Sequence, residues 1–445
     1  MKKFRVLLLV TLLLALTPMI SSADVPAPGG PFNTAFRVQN LSTVVAHCVV
    51  DFYPPTGGVP TASITLPDIA VNDSAYVYVP SISTLSSGQY SGVVSCDQEV
   101  AAVVNISDAD SGASYNGFGA ASVANTLYAP GVYNNYYGFY TDLVVQNTSA
   151  TPVNITLEVF QPGNTTPVFT DTRSNVPGVG SVSFEQEGKA QLTPNVAYSA
   201  KLTGSGPIAA ITSIYGRGAL ASQFYAYDTF STGSTTAYAP VIMSKYYGYN
   251  TALVIQNMGS VAANVTITYG TGLVKHSTIQ PGASDSRYTP VEGLPDGTLI
   301  GATVTSDNAQ PLVVIVNEST TMNRAASYEG FAAGKTTVRA PIVMKRYYKY
   351  NTSVTCQNVG SAPATLALSY AGIAGSQTTP SVPVGGTYMF YQPADSLLAS
   401  QTGWIGSATI TSAQNIVCVV NEDMNEVPDV NMSKDMLYSY DGIGQ

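Results

Sequence analysis

The sequence has little charge. Of its 445 residues only 10 % are Asp, Glu, Lys or Arg, and the net charge is −9, whereas about a quarter of the residues in ordinary soluble proteins are charged. An acidic chain without basic clusters is not expected to bind nucleic acid or an anionic membrane. Tyr, Thr, Ser, Asn and Gly take the place of the charges, which is typical of extracellular or assembled proteins.

Residues and motifs of catalysis are also scarce. The two histidines, His47 and His276, lie far apart in the sequence and neither has flanking metal ligands. There is no His-Glu-x-x-His, no Gly-x-Ser-x-Gly and no Gly-rich phosphate loop. Histidines in such settings are more often strand or surface residues than general bases. The sequence therefore predicts a protein that is not an enzyme and that has no cofactor.

The N-terminus has the pattern of an export signal. Lys2, Lys3 and Arg5 precede an apolar run over 6–16, and small residues follow, so residues 1–23 are predicted to be a cleaved signal peptide. The run is shorter than the roughly 20 residues of a spanning helix, although an uncleaved anchor is the alternative. No second run of that length follows. We expect an extracellular or cell-surface protein without a transmembrane segment after cleavage.

One motif recurs along the chain. It occupies 127–147, 237–257 and 338–358, with a shortened copy at 25–40, and each copy ends in Gln-Asn. The four terminal Asn residues are 107, 110 and 101 residues apart, a spacing that fits whole domains better than solenoid repeats. After the signal peptide the sequence thus predicts four modules, at 24–120, 121–231, 232–332 and 333–445.

Each module has the pattern of β-strands. Val265, Ile267 and Tyr269, for example, alternate with Thr266 and Thr268, and a period of two predicts strands with one buried face. Turn residues follow at short intervals and no helical period is present. The prediction is an all-β fold with one antiparallel β-sandwich per module.

This pattern resembles the tandem immunoglobulin-like modules of bacterial cell-surface proteins. The resemblance covers all four copies but does not extend to the Cys–Trp–Cys core of antibody domains, because the single tryptophan is Trp404. Short linkers followed by Ala-Pro stiffen the passage between copies. The expected assembly is a semi-rigid rod of four modules.

The four cysteines fall as pairs in the first and last modules: Cys48 with Cys96, and Cys356 with Cys418. An even number, paired within modules of an exported protein, favours two disulfides. Cys48 and Cys356 also align with apolar strand residues of the other copies, which indicates core positions. The alternative is buried, reduced thiols that act as small apolar residues.

Tyrosine-rich segments precede the first core strand of modules 2, 3 and 4. Tyrosine provides a large contact area with a polar tip, which allows three interpretations: packing between successive modules, contact with another subunit, and stacking on glycans. Packing between modules is favoured, because module 1 has no predecessor and lacks the Tyr pair. The candidate residues are Tyr136, Tyr137, Phe139, Tyr246, Tyr247, Tyr249, Tyr347, Tyr348 and Tyr350.

Alternating oxygen-bearing residues at Asp108 and Asp110, followed by Gly112, resemble part of a calcium loop. The twelve-residue pattern is incomplete, and a solvated acidic turn is the commoner explanation. Calcium is therefore retained only as an alternative to the absence of any metal.

These features together predict a secreted, non-catalytic protein of the cell surface or extracellular matrix that acts as a spacer, a filament or layer subunit, or an adhesin. Its expected partners are other copies of itself or other cell-surface proteins. One alternative is a carbohydrate-binding protein that uses the Tyr-rich motifs to hold a polysaccharide. Another is an accessory unit of an exported enzyme system.

Overall fold

The computed structural model describes residues 30–320, 324–424 and 434–445. The predicted signal peptide lies outside the described residues. Successive groups of strands are here named module 1 (33–116), module 2 (124–228), module 3 (236–329) and module 4 (335–444). All described strand pairs are antiparallel, so the predicted all-β, antiparallel architecture is confirmed. Within the described residues, no helix has the length and apolarity needed to cross a membrane.

The first two modules contain fifteen strands. Module 1 contributes β1 (Asn33–Asn40), β2 (Cys48–Tyr53), β3 (Ala62–Thr65), β4 (Ser74–Tyr78), β5 (Ser91–Cys96), β6 (Val100–Ser107) and β7 (Gly112–Asn116). Module 2 contributes β8 (Ala124–Val132), β9 (Asn134–Tyr136), β10 (Phe139–Asn147), β11 (Val153–Phe160), β12 (Phe169–Val176), β13 (Ser181–Glu185), β14 (Tyr198–Gly216) and β15 (Phe224–Asp228).

The last two modules contain sixteen strands. Module 3 contributes β16 (Thr236–Ser244), β17 (Tyr249–Asn257), β18 (Ala263–Tyr269), β19 (Val274–Ile279), β20 (Ser284–Tyr288), β21 (Thr298–Ser306), β22 (Leu312–Thr320) and β23 (Ala325–Glu329). Module 4 contributes β24 (Lys335–Lys345), β25 (Asn351–Asn358), β26 (Leu366–Tyr370), β27 (Gln377–Thr378), β28 (Thr387–Tyr391), β29 (Trp404–Asp423), β30 (Tyr438–Asp441) and β31 (Ile443–Gly444). The described helical turns are short: α1 (Thr289–Glu292) and 3-10 turns at Val79–Ser81, Ala120–Ser122, Gly218–Leu220, Gln392–Ala394 and Ser396–Leu398.

Module 3 shows the common plan most clearly. Its two sheets have the strand orders β16-β21-β18-β19 and β20-β17-β22-β23. Val265, Ile267 and Tyr269, predicted to face inward, are all at most 1 % exposed. In modules 2 and 4 a single long strand, β14 or β29, runs from one sheet into the other.

The order of strands differs from that of an immunoglobulin domain. In an immunoglobulin domain, strands A, B, E and D share one sheet, whereas in module 3 the first, sixth, third and fourth strands do so. The resemblance therefore extends to the two-layer antiparallel architecture and not to the strand pairing.

The Asn that ends each repeated motif forms the same turn in every module. In module 3, Asn257 Nδ2 donates to the carbonyls of Val261 (2.8 Å) and Ile279 (2.9 Å), and its Oδ1 accepts from Gly259 N (2.7 Å). The equivalent residues repeat these bonds and all four are fully buried: Asn40, Asn147 and Asn358 complete the set. A buried amide with three partners fixes the chain where it leaves one sheet for the other.

A buried tyrosine links the start and the end of modules 2, 3 and 4. The hydroxyl of Tyr328 accepts from Val241 N (3.1 Å) and donates to Val241 O (2.8 Å). Tyr227 makes the same pair of bonds with Gly131, and Tyr440 with Ile342. The repeated Ala-Pro segment thus has its backbone held by the repeated end motif of the same module.

Both cysteine pairs are bonded. Cys48–Cys96 joins β2 to β5, and Cys356–Cys418 joins β25 to β29. In each case the two residues lie directly opposite one another on neighbouring strands of one sheet. Cys48, Cys356 and Cys418 are at most 2 % exposed, in agreement with the core positions inferred from the repeat alignment.

The predicted rod is wrong: the four modules close into a ring. The last strands of the modules meet in a cycle in which β7 contacts β15, β15 contacts β23, β23 contacts β30, and β30 contacts β7. Outside this cycle, the first strand of one module packs on the second sheet of the next: β8 on β17, β16 on β25, and β24 on β1.

The end strands explain why the rod prediction is wrong. In β23 the consecutive residues Ala325, Ala326, Ser327 and Tyr328 are all at most 3 % exposed, so both faces of the strand are covered. One face packs inside the module and the other packs against neighbouring modules. Burying that second face stabilises the closed arrangement more than an extended chain of separate modules.

Asp435 contacts all four modules near the centre of the ring. Its carboxylate accepts from Phe224 N of module 2 (3.0 Å), from Ala325 N of module 3 (2.9 Å) and from Leu437 N of module 4 (3.2 Å). Its own N–H donates to Asp110 O of module 1 (2.8 Å). The residue is fully buried, and a buried carboxylate is stable only with such partners.

Candidate functional site: the tyrosine turns

The Tyr-rich segment of module 3 forms a tight hairpin turn. Tyr246 and Tyr249 exchange two backbone hydrogen bonds of 3.0 and 2.9 Å. Between them, Tyr247 has φ of 48° and Gly248 has φ of 87°. Two consecutive positive φ angles are typical of a type I′ turn, in which Asn-Gly is the preferred sequence.

The same turn occurs in modules 2 and 4. Tyr137 has φ of 50° before Gly138 at 94°, and Tyr348 has φ of 45° before Lys349 at 76°. A residue with a Cβ in this region costs about 1 kcal/mol or more. Local backbone preference therefore does not explain why a tyrosine is the first central residue of all three turns.

These three residues, named here the tip tyrosines, project into solvent. Tyr137, Tyr247 and Tyr348 are 70 %, 81 % and 79 % exposed. Each ring stands edge-on to the tyrosine before it, with centroids 4.7 to 4.9 Å apart. The tip tyrosines thus do not pack between modules, contrary to the favoured interpretation of the sequence.

The preceding tyrosines, by contrast, support the tips from below. Tyr136, Tyr246 and Tyr347 are partly buried and pack against the cores of modules 2, 3 and 4. Tyr136 also stacks on Tyr133 at 4.8 Å. A core-anchored ring under each exposed ring limits the rotamers of the tip and so pre-organises it for contact.

The last aromatic residue of each segment has a different surrounding. Tyr249 crosses a seam between modules, since its hydroxyl is hydrogen-bonded to Asp423 of module 4 and to Arg324 (3.2 Å). Phe139 and Tyr350 instead meet Tyr225 and Tyr438 of their own modules, at 5.6 and 5.8 Å. Packing between modules therefore applies to Tyr249, whose hydroxyl contacts the following module.

Other repeated polar residues of the motif have a structural role that the sequence analysis missed. Thr251 Oγ1 accepts from Met243 N (3.2 Å), and Asn250 Oδ1 accepts from Lys245 N (2.9 Å). Thr141, Thr352 and Asn351 make the equivalent bonds. Their repetition in the sequence could have identified these residues, but repetition alone does not distinguish residues that stabilise the fold from residues that bind a partner.

Two buried glutamates lie at seams of the ring. Glu318 Oε2 accepts from Asn421 Nδ2 of module 4 (2.7 Å), and Glu422 Oε2 accepts from Asn105 Nδ2 of module 1 (3.1 Å). Burial raises the pKa of each glutamate to about 8. Their burial could not be predicted from the sequence, because the sequence did not show which surfaces of the modules meet in the ring.

Four equivalent end-strand residues also come together: Asn116, Asp228, Glu329 and Asp441. Asn116 exchanges two hydrogen bonds with the backbone of Asp441, and Glu329 Oε1 accepts from Asp228 N (2.6 Å). Burial raises the pKa of all three acids, which favours shared protons over mutual repulsion. Within the described residues, no group of three or more His, Cys, Asp or Glu is arranged to hold a metal ion.

The residues considered for calcium have protein partners. Asp108 Oδ1 accepts from Asp110 N (2.7 Å), Ser111 N (2.7 Å) and Ser111 Oγ (3.0 Å). Asp110 pairs with Lys434 Nζ at 3.0 Å. These bonds form an acidic turn closed on itself.

No family model and no curated protein matches the chain. Among solved structures, two variants of the major pilin from Streptococcus pyogenes are similar at 11 % identity. Each match covers 68 % of this chain and 99 % of the pilin chain, with TM-scores of 0.14 and 0.13. At these TM-scores the likeness carries no weight for function. The two disulfides are consistent with an extracellular or cell-surface location.

Proposed function

We propose that the protein is a non-catalytic structural component of the cell surface or extracellular matrix, and that its tip tyrosines join copies of the ring into a larger assembly. The observation that carries this proposal is the threefold occurrence of an exposed tyrosine in a backbone conformation that disfavours it. Such strain is retained where a side chain is needed for contact.

Energetics favour a contact role over a fold role. Placing Tyr247 in the left-handed region costs about 1 kcal/mol, and a ring that is 81 % exposed returns little of that through burial in the free protein. At an interface the same ring can contribute about 2 kcal/mol or more, and tyrosine is enriched among such residues. Burial against a partner would therefore offset the local cost.

The arrangement of the turns favours self-association over single-site binding. The three turns connect equivalent strands of modules 2, 3 and 4, so they occupy equivalent positions around one ring. A ring with several equivalent contacts can bind several neighbours, and individually weak contacts then act together. Module 1 has no such turn, and its Phe32 packs instead on Phe224 of module 2 at 5.6 Å.

The test is to replace all three tip tyrosines with asparagine, which suits the first central position of a type I′ turn. The control carries Tyr78→Asn and Tyr288→Asn, which change exposed tyrosines (43 % and 44 %) outside the turns. We expect the triple variant to keep or slightly raise its Tm and to weaken self-association at least tenfold in sedimentation analysis. The control should associate like the wild type.

Two results would overturn the proposal. A triple variant that associates like the wild type would remove the contact role, and one that loses several degrees of Tm would make the tyrosines part of the fold. If the triple variant instead lost retention on polysaccharide while its sedimentation stayed unchanged, carbohydrate binding by these turns would replace self-association.

A further inference from the structure

A cleft of about 550 Å³ lies at the seam where the last module meets the first. Module 1 contributes Arg37 and residues 70–73, and module 4 contributes residues 370–372 and 404–407. A hydrogen bond from Ser407 Oγ to Asn72 O (3.1 Å) bridges the two sides. The volume is in the range of sites that hold small ligands.

Arg37 supplies a cation within this cleft. Its Nη1 donates to Ser74 Oγ (2.9 Å), and its guanidinium lies 5.7 Å from the centre of the Tyr76 ring. Its Nε is buried and has no hydrogen-bond partner. Burial lowers the pKa of Arg37, yet a guanidinium remains charged at neutral pH. Arg37 lines the cleft, and a ligand carboxylate there would lie beside its positive charge, the charge-assisted pairing that arginine favours.

Two aromatic residues of module 4, Tyr370 and Trp404, line the same cleft. Trp404, the single tryptophan of the chain, stands edge-on to Tyr370 with centroids 5.2 Å apart. Tyr370 is fixed by a 2.6 Å bond from its hydroxyl to Asp395. At Gly406 a Cβ would come within 2.4 Å of the indole, so the absence of a side chain there lets the ring lie on its own strand. These two rings are rigid before any ligand arrives.

The other seams of the ring do not offer this combination. The positions equivalent to Arg37, three residues before the motif's final Asn, hold Val144, Val254 and Thr355. At the seam of modules 2 and 3, Gln256 Nε2 donates to Ala200 O (3.0 Å). The equivalent Gln39 is fully buried, yet neither its amide nitrogen nor its oxygen has a partner. Buried polar groups are thus less completely hydrogen-bonded at the seam of modules 4 and 1 than at the seam of modules 2 and 3.

We propose that this cleft binds a carboxylate-bearing sugar residue of an extracellular polysaccharide, with Arg37 on the carboxylate and Trp404 against the apolar face of the sugar ring. Aromatic faces attract the weakly positive C–H groups of such a ring. Asp73 also lines the cleft and its charge acts on Arg37, so the cleft would accept a single carboxylate more readily than a phosphate dianion, and Asp73 would accept hydrogen bonds from sugar hydroxyls. None of the three tip tyrosines lines this cleft.

The test titrates the whole protein with a tetramer of galacturonic acid and, separately, with its neutral methyl ester. Trp404 makes the readout local, because emission from the single tryptophan reports only on this cleft. We expect a saturable change in emission with the acid and none with the ester. Arg37→Gln should weaken binding roughly 10- to 100-fold, as loss of a charged hydrogen bond predicts. Arg217→Gln, which removes an arginine paired with Glu187 on module 2, should leave it unchanged.

An absence of binding by the acid at millimolar concentration would overturn the proposal, as would equal binding of acid and ester or an Arg37→Gln variant that binds like the wild type. If Arg37→Gln fails to fold, calorimetry on Trp404→Phe takes its place, with at least tenfold weaker binding expected and unchanged binding refuting the site. A double variant, Tyr137→Asn with Tyr247→Asn, changes only the turns of modules 2 and 3 and should keep its affinity for the acid. Arg37→Gln should keep its self-association, so failure of one proposal is distinguishable from failure of the other.

Discussion

Stability should fall as the pH rises, because two glutamates are buried at seams of the ring. Glu318 and Glu422 have a pKa of about 8 in the folded protein, whereas an unfolded chain ionises glutamate near 4.5. Between these values the folded state holds more protons than the unfolded state. The stability that each protonated glutamate contributes to the folded state is therefore fully present below about pH 4.5 and is lost as the pH rises towards 8.

The size of the effect follows from the two pKa values. A rise from 4.5 to about 8 on folding corresponds to roughly 4 to 5 kcal/mol for each glutamate. This is an upper limit, because ionisation draws water into the seam and lets the side chains move. Even half of it would lower the Tm by several degrees between pH 5 and pH 8.5.

The assay measures Tm against pH for the wild type and for Glu318→Gln with Glu422→Gln. Glutamine resembles the protonated acid and keeps an oxygen for Asn421 Nδ2 or Asn105 Nδ2. We expect the double variant to match the wild type near pH 5 and to be more stable at pH 8.5. Glu187→Gln is the control, since Glu187 is partly exposed and its pKa is lowered by Arg217.

Two outcomes would refute this reasoning. One is a wild-type Tm that rises steadily from pH 5 to 8.5. The other is a double variant with the same pH slope as the wild type, since the slope would then originate elsewhere. Either result would mean that water reaches the seams and that the modules are not closely packed.

Two further substitutions test the centre of the ring and the repeated turn. Asp435→Ala leaves the buried N–H groups of Phe224 and Ala325 without an acceptor, so we expect the free energy of unfolding in urea to fall by about 3 to 5 kcal/mol. The control, Asp110→Asn, removes only an exposed ion pair with Lys434 and should cost less than about 1 kcal/mol. Similar losses for the two variants would contradict the role of Asp435. Asn257→Ala removes the three hydrogen bonds of a buried amide and should cost about 2 to 4 kcal/mol in the same assay. A loss below about 1 kcal/mol would show that the turn forms without it.

The local structure was accessible from the sequence because it depends on neighbours in the chain. Alternation of apolar and polar residues correctly placed Val265, Ile267 and Tyr269 in a core. Alignment of the repeats placed Cys48 and Cys356 at buried strand positions. In both cases the side-chain period of a strand determines the face, whatever the rest of the molecule does.

The ring was not accessible in the same way. Its contacts join segments about a hundred residues apart, or 325 residues apart where Asn116 meets Asp441, and the strands that make them are only four or five residues long. The available signal is the lack of alternation in the end strands, as in β23 from Ala325 to Tyr328, because a strand that is buried on both faces loses its period of two. The burial of Glu318 and the cleft at Arg37 both depend on contacts between modules, so neither could be predicted before the ring was known.

The tyrosine turns were located from the sequence but their geometry was not. Repetition identified Tyr137, Tyr247 and Tyr348, whereas their exposure depends on a turn type that usually requires Asn or Gly. A repeated tyrosine in the sequence is equally compatible with a ring packed between modules and with a ring exposed to solvent. The positive φ angles decide between them.

The closed ring is the central claim, since both the display of the tip tyrosines and the cleft at Arg37 depend on it. Small-angle X-ray scattering of the monomeric chain, prepared without residues 1–23, tests it directly. A compact body of about 420 residues has a radius of gyration of roughly 22 Å, and a ring slightly more. Four such modules in line would exceed about 140 Å in length, with a radius of gyration near 40 Å. We expect a value below about 28 Å, and a value near 40 Å would contradict the ring.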